Sequence, residues 1–526
     1  MKKAHVPARI AATLLSFTLL AGCGPAATPG AADPASAQPG AQGEAPGAAK
    51  TTLTIGERQE IQGSIPYDLG TSTTSAFEKI YDALTERDAS GAVIPSVAKS
   101  WEAESDTAWI FHLEEGIKFT DGEELNADAV CFTWEVLSTW DTGWGNINDL
   151  LTVIDSVEKV DDYTVRVNTI IPFGNLPLRM TMFRVLPPEY TKEVGAEGLR
   201  EQPLGSGPYK YVEFSLGEHY SFTANPDHWR GEPAIKDITY VQIPDASARI
   251  MALEAGDVDL INDVPISQIE QLESKPGITV AAVPSTFTYF AQFNTYFNEA
   301  LQDVRVRRAL TMAVDVDQII DKVFLGYAKK VNTPICSQAY DFYDPSIERE
   351  PYDPGAAKEL LAEAGYADGL TLDLVINPDT YGLVDTAQII AAQLAEIGVT
   401  INVVEKEAGI IRQQYATNEV GDIVITGTGG TQGDCGLVTS IAFSPEGRYS
   451  VWGDTQLEEM RIRCESCVDK DEQAGLYSQL QQMAKDQCPA IPLWQSYNVY
   501  AYNSALRGWE PHATSLTIMR DAYWAE

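Results

Sequence analysis

The sequence predicts an α/β fold of mixed sheets flanked by helices, and three observations carry that prediction. Between Leu370 and Thr426, strand-like and helix-like stretches alternate as "LTLDLVI", "VDTAQIIAAQLAEIG", "VTINVVE", "AGIIRQQYATNEVG" and "DIVITG". That spacing implies βαβ units and a parallel sheet. The helix before them is punctuated, with Asp353 able to cap it, Pro354 in its first turn and Gly365 at its end. Finally, about 475 residues follow residue 50, enough for two or three core-bearing units, and no short period repeats as a solenoid would require.

Taken in order, the chain opens with Lys2, Lys3 and Arg9 ahead of a mostly apolar run from Ile10 to Leu20. That run falls short of the ~20 residues a membrane-spanning helix needs but suits a signal-peptide core. Leu20-Ala21-Gly22-Cys23 resembles the bacterial lipoprotein box, in which cleavage precedes the cysteine and its thiol takes up diacylglycerol. Residues 1–22 are therefore expected as signal peptide and Cys23 as the lipidated first residue. Residues 24–50 are rich in Ala, Gly and Pro and cannot bury enough apolar surface to fold, so 23–50 reads as a flexible tether. The expected location is the cell membrane, lipid-anchored on its extracytoplasmic face.

A formal net charge of −38 leaves no basic patch to neutralise phosphates and argues against nucleic acid and against anionic lipid. Acidity of this size favours solubility without identifying a ligand. Besides Cys23 there are Cys131, Cys336, Cys435, Cys464, Cys467 and Cys488. Cys131 lies among Val130, Trp134 and Leu137 at helical spacing and reads as a small buried hydrophobe. Cys464-Glu-Ser-Cys467 has no second CxxC and no nearby histidine, so one or two structural disulfides among the last five cysteines are expected instead of a metal or redox site.

Local signals fill the middle of the chain. "GIKFTDGEEL" alternates around Asp121-Gly122, a hairpin-turn dipeptide. "GSGPY" predicts a tight turn in which Gly205 and Gly207 take positive φ. "NPDHW" is a polar turn followed by an indole that packs inward. In "DVRVRRALTMAV", Val306, Leu310 and Ala313 form an apolar stripe, with Arg305 and Arg308 on the wetter side.

Read together, "VAKSWEAESDTAWIFHLEEGIKFTDGEELNADAVCFTWEVL" (97–137), "PLGSGPYKYVEF" (203–214), "NPDHWRGEPAIKDITYVQIPDASARIMALEAGDVDL" (225–260), "FAQFNTYFNEALQDVRVRRALTMAVDVDQII" (290–320) and "CPAIPLWQSYNVYAYNSALRGW" (488–509) resemble the family 5 extracellular solute-binding proteins. These are the dipeptide, oligopeptide and nickel receptors of ABC importers. The resemblance implies a periplasmic-binding-protein-like fold of class II, or cluster C. Lobe I would comprise 51–70, 188–288 and 500–526; an inserted domain II, 71–187; and a second ligand-binding lobe, lobe III, 289–499. The hinge would lie near Tyr289–Asn294 and Trp494–Asn498, with closure a ligand-driven population shift. The implied partners are a small solute and the importer's permease and ATPase, and the implied state is a monomer.

Family ligands sit between the lobes, which directs attention to crossing points and loop ends. Thr71, Ser72 and Thr73 in "GTSTTS" offer hydroxyls to backbone-like groups, or else form a plain turn with helix caps. Tyr289, Gln292 and Asn294 mark the first crossing, with Gln292 and Asn294 on one strand face and Tyr289 on the other. Trp494 or Tyr497 forms a wall at the second crossing, with hinge packing as the alternative. In the loop "TGTGGTQGDCG" (426–436), peptide-binding relatives typically carry Gly-Trp followed by Gly-Asp-x-x-Asp-Pro, and the first aspartate holds the ligand's α-amino group. Here Thr428 stands at the tryptophan, Thr431 at the first aspartate, Asp434 at the second and Cys435 at the proline. Either Asp434 takes over the amino group or the ligand has no cationic amine there. Gly427, Gly429, Gly430 and Gly433 would let backbone approach a ligand, but the GxGxxG register of a dinucleotide site is missing.

An enzyme is the rival class. Ser96-Val-Ala-Lys99 matches SxxK, but Ser-Asp-Asn and Lys-Thr-Gly are missing, and the family packs a short helix there before Trp101. His112, His219, His228 and His512 are scattered and make neither a triad nor a metal cluster. The sequence thus predicts a non-enzymatic receptor with no cofactor and no resident metal, and a peptide as its foremost ligand. A chelated metal of the nickel type or a non-peptidic solute (sugar, opine, glutathione derivative) is the alternative, and a secreted hydrolase the distant one.

Overall fold

The computed structural model describes residues 50–58, 71–89, 91–139, 153–215, 217–429 and 433–525, with the backbone alone for 71–74. The expected signal peptide, Cys23, the tether and Thr431 lie outside the described residues.

A mixed sheet of eleven strands forms the backbone of the fold among those residues. Two long antiparallel strands, Ile278–Phe293 and Ala490–Asn503, run through its middle, and the short strand Ala328–Lys330 pairs with the second of them where the ladder breaks. On one side lie Leu260–Ile261, Thr52–Glu57, Asp237–Gln242, His219–Ala224 and Tyr209–Ser215. On the other lie Ile423–Thr428, Leu370–Ile376 and Val399–Glu405.

The second side is the βαβ region expected from alternation. Leu370–Ile376 pairs in parallel with both Val399–Glu405 and Ile423–Thr428. Helices Leu383–Glu396 and Ala408–Tyr415 make the crossovers. Asp353 caps helix Pro354–Glu363 by accepting from the Ala356 amide at 2.9 Å, and Gly365 follows with φ +96°. Helix 408–415 is shorter than its pattern suggested; Asn418 adopts φ +57°, a left-handed backbone that ends it.

Before the long strands, Ala98–Ser105, Ala108–Leu113, Thr164–Thr169 and Ile154–Asp161 form a separate antiparallel sheet covered by helix Ala127–Thr139. Its apolar core is continuous with that of the first half-sheet, so that Leu53, Phe77, Phe111, Val130 and Tyr240 belong to one cluster. A second cluster, with Val306, Leu310, Leu374, Ile390 and Trp494, fills the other side. Val306, Leu310 and Ala313 are buried while Arg305 stays exposed, as their spacing requires.

Some local expectations are corrected. Ser96–Lys99 leads into strand Ala98–Ser105 instead of a short helix, because Ala98 pairs across to Leu113. Gly205 and Gly207 do not adopt positive φ. Their role is steric: a Cβ would stand 2.2 Å from the Ile80 carbonyl oxygen at Gly205 and 2.6 Å from the Ile80 carbonyl carbon at Gly207. Cys131 is half-buried against the first core, with a free thiol. Cys336 and Cys435 form a disulfide; Cys464, Cys467 and Cys488 are free.

Candidate ligand cleft

The pairing of the two long strands breaks between Pro284 and Phe290, opposite Pro492–Tyr497. This irregularity, where the sheet passes from one half to the other, begins earlier in the first strand than the expected Tyr289–Asn294 crossing. Bulged pairing leaves backbone groups free for other partners. The Thr286 amide donates to the Ala513 carbonyl at 2.9 Å, and the Thr286 carbonyl accepts from the Tyr340 hydroxyl at 2.6 Å.

The crossing residues divide by environment. Tyr289 stacks on Trp494, with ring centroids 5.1 Å apart and planes inclined by 20°, and Trp494 also packs on Phe324. Tyr497 is half-buried beside a small apolar cluster. Gln292 is fully buried; it donates to the Ala442 and Tyr449 carbonyls and accepts from the Tyr415 hydroxyl at 3.0 Å. Asn294, equally buried, donates to the Asn418 and Gly421 carbonyls at 2.9 Å each. These two carboxamides tie the segments around 418–421 and 442–449 to the strand. Thr71, Ser72 and Thr73 begin helix Thr71–Ile80.

The glycines of the 426–436 loop answer to the crossing strand. A Cβ on Gly427 would meet the Phe287 ring at 2.4 Å, and one on Gly429 the Thr286 carbonyl oxygen at 2.5 Å. Thr428, nearly buried, sits opposite Thr288. Gly433, at φ +46°, lies beside Arg87, Thr286 and Tyr340.

Asp434 is the best-placed residue of the loop. It is 3% exposed and caps helix Cys435–Ala442, accepting from the Gly436 amide at 2.8 Å through Oδ1. Its other oxygen, Oδ2, faces Arg179 Nη2 at 3.7 Å, too far for a hydrogen bond, and has no other donor among the described residues. Arg179 is itself buried and keeps Nε and Nη1 without acceptors. Arg179 belongs to the short helix Leu176–Arg179 of the chain's first part. That segment packs on the helices of the 456–487 region: the Gly174 amide donates to the Glu465 carbonyl at 2.6 Å, and Asn175 Nδ2 donates to the Tyr477 hydroxyl at 2.8 Å.

The Asp434 position is fixed from behind. The disulfide joins Cys435 to Cys336, and Asp434 makes a parallel bridge with Asp341. Burial raises the Asp341 carboxyl above its ordinary range, with Arg87 pulling the other way. Burial also lowers the Arg87 guanidinium, against Asp341 and Asp434. Burial in turn raises Glu465, opposed by Arg461.

Arg87, Arg179, Asp341 and Glu465 escape a reading of the sequence. Each stands alone in an ordinary stretch, and only tertiary folding brings them to the loop. Among the described residues, no group of three or more His, Cys, Asp or Glu is arranged to hold a metal ion, and no helix is long and apolar enough to cross a membrane.

Residues 92–449 match the family model described as bacterial extracellular solute-binding proteins, family 5 middle. The chain is 28% identical over 472 residues to heme-binding protein A of Haemophilus influenzae, covering 84% of this chain and 86% of that protein. It is 28% identical over 479 residues to di/tripeptide-binding protein 2 of Pseudomonas aeruginosa, covering 84% and 89%. Among solved structures, HbpA2 from Haemophilus parasuis superimposes with a TM-score of 0.81 at 26% identity, over 90% of this chain and 100% of that one. The ABC transporter substrate binding protein CtaP from Listeria monocytogenes shares the fold at a TM-score of 0.82 and 23% identity, over 91% and 100%.

Proposed function

The chain belongs to the bacterial extracellular solute-binding proteins of family 5, the substrate-binding components of ABC importers, and from that premise we propose that its solute is a peptide held between two closing lobes. The observation that carries this reading is the pair formed by Asp434 and Arg179. Both are buried, they face each other from segments far apart in sequence, and among the described residues each keeps hydrogen-bonding atoms without a partner. Buried polar atoms without partners cost about 1–3 kcal/mol each. A peptide's ammonium would satisfy Asp434 Oδ2 by a charge-assisted hydrogen bond. Relatives named for di- and tripeptides support the same class.

Thr428 and the first turn of helix Thr71–Ile80 complete the polar lining in this reading, and Tyr289, Trp494 and Tyr497 support the hinge. Closure presents the loaded form to the permease and its ATPase. The Leu20–Cys23 box supports a diacylglycerol anchor at Cys23, with residues 24–50 as leash and a single copy as the working unit. The protein binds stoichiometrically and releases no product.

Native mass spectrometry of the protein purified from its own host tests the ligand class. A co-purifying peptide mass is expected. A sugar, a metal chelate or a heme mass in its place would overturn the peptide reading and leave the family intact.

A further inference from the structure

Residues 512–514 bridge the break in the pairing of the two long strands. The Ala513 carbonyl accepts from the Thr286 amide of the first strand at 2.9 Å and from Asn498 Nδ2 of the second at 3.0 Å. Asn498 Nδ2 also donates to the His512 carbonyl at 3.0 Å. The His512 ring then reaches a third element, the hairpin of strands Thr85–Arg87 and Val93–Pro95. Its Nε2 stands 2.7 Å from the Asp88 carbonyl oxygen in the turn of that hairpin. Its Nδ1 meets the Thr514 hydroxyl at 2.6 Å and the Thr514 amide at 3.2 Å. One side chain thus joins the hairpin to both long strands at the point where their own ladder is interrupted.

The partners fix the state of the ring. A carbonyl only accepts, so Nε2 carries the proton; a backbone amide only donates, so Nδ1 keeps its lone pair. The imidazole is therefore neutral, at 2% exposure, with both nitrogens bonded. A second proton would occupy the Nδ1 lone pair and leave the buried Thr514 amide without that acceptor. Among the described residues, the charged and titratable groups that face the residue are Arg87 and Asp88 of the hairpin and Tyr500 of the second strand. The Asp88 carboxylate accepts from the Ala92 amide at 3.1 Å, and the Tyr500 hydroxyl donates to the His512 carbonyl at 3.5 Å. Burial lowers the imidazole from its ordinary 6.5, the Asp88 carbonyl opposes this, and the Arg87 charge adds to it. What the neutral ring contributes is full above pH 6.5 and is lost as pH falls below it.

We infer that His512 is an acid-released pin: neutral, it holds the hairpin against the strand crossing, and protonated it lets the crossing loosen, so that the solute is held less tightly in acid. Apparent affinity scales with the fraction of protein in the binding-competent form, and a looser crossing lowers that fraction. The inference rests on the reading that two lobes close on a peptide. It adds that the place where they join senses pH.

The test compares about pH 8 with about pH 5, the two ends of the histidine range, on the full mature protein. Amide hydrogen exchange without peptide, corrected for the pH dependence of the intrinsic rate, reads the pin; calorimetric titration with tri-alanine reads the hold on solute. Acid should strip protection from the amides of 88–92 and 512–514 while the strand Leu370–Ile376 keeps its own. Tri-alanine should bind about five- to a hundredfold more weakly in acid, as a buried donor left without its acceptor implies. His512→Gln keeps a donor for the Asp88 carbonyl and takes up no proton, so both acid effects should shrink to a small part of their size in the unaltered protein. Acid effects of undiminished size in His512→Gln would overturn the pin. So would unchanged protection of 88–92 and 512–514 in the unaltered protein, a result that needs no variant to fold. Acid loss of that protection, with no binding of tri-alanine at either pH, would leave the pin standing and overturn the peptide reading.

Discussion

Tyr289 lies flat against Trp494 across the two long strands, centroids 5.1 Å apart, at the edge of the break in their pairing. Trp494 is 1% exposed and also touches Phe324 at 4.5 Å between centroids. Stacked aromatics at an irregular crossing keep the two halves of the sheet in one register where ladder hydrogen bonds are missing. Trp494→Ala should cost about 3–5 kcal/mol, as large buried truncations do, and Trp494→Phe much less. Urea unfolding of the two variants checks the difference; equal midpoints would deny the stack that role.

Asp434→Asn isolates the charge from the cap. The carboxamide oxygen can still accept from the Gly436 amide, so the melting temperature should change little. Peptide affinity should fall about ten- to a hundredfold, since a hydrogen bond to a charged group contributes roughly 1.5–3 kcal/mol. Calorimetric titration beside a thermal melt separates the two effects, and intact affinity would remove Asp434 from the site.

Much of this arrangement is legible before folding, and the remainder is not, for a physical reason. The βαβ units announce themselves because strand and helix periods are local, and Asp353 caps a helix that starts at the next residue. Asp434 stands out because its loop departs from a familiar pattern. Arg179 and Glu465 carry no such mark: their meaning arises from a contact between segments far apart in sequence. The glycines at 205, 207, 427 and 429 mislead for a related reason. Their spacing suggests turns or ligand approach, whereas the atoms they accommodate belong to Ile80, Thr286 and Phe287.

The disulfide should matter to both stability and affinity. Cys336 and Cys435 close a loop across a sequence separation of 99, and Cys435 adjoins Asp434. Replacing both with serine should cost about 2–5 kcal/mol. Peptide affinity should drop as well, because the Asp434 loop loses its tie to the 336–341 segment. Calorimetry with and without reductant provides the check: serine substitution that leaves both quantities untouched would refute the coupling.

Glu57 predicts a pH dependence. It is 3% exposed, and burial, with Asp263 adding to it, raises its carboxyl from 4.5 to about 8. The unfolded chain loses this proton near pH 4.5 while the folded chain keeps it to about 8. The associated stability is full below pH 4.5 and is lost as pH climbs to about 8. Lys79, lowered by burial from 10.5 to about 8, acts oppositely: its stability is present above pH 10.5 and lost as pH falls to about 8. Glu57→Gln should match the unaltered protein at pH 4.5 and melt several degrees higher at pH 8. Identical melting curves at pH 8 would show that this carboxyl carries no burial penalty.

Domain motion is the property on which the whole scheme depends, and small-angle X-ray scattering reads it directly. Adding saturating peptide, with binding confirmed by calorimetry in the same buffer, should reduce the radius of gyration and shift the profile toward that calculated for the closed arrangement. Superimposable profiles with and without bound peptide would contradict capture by closing lobes.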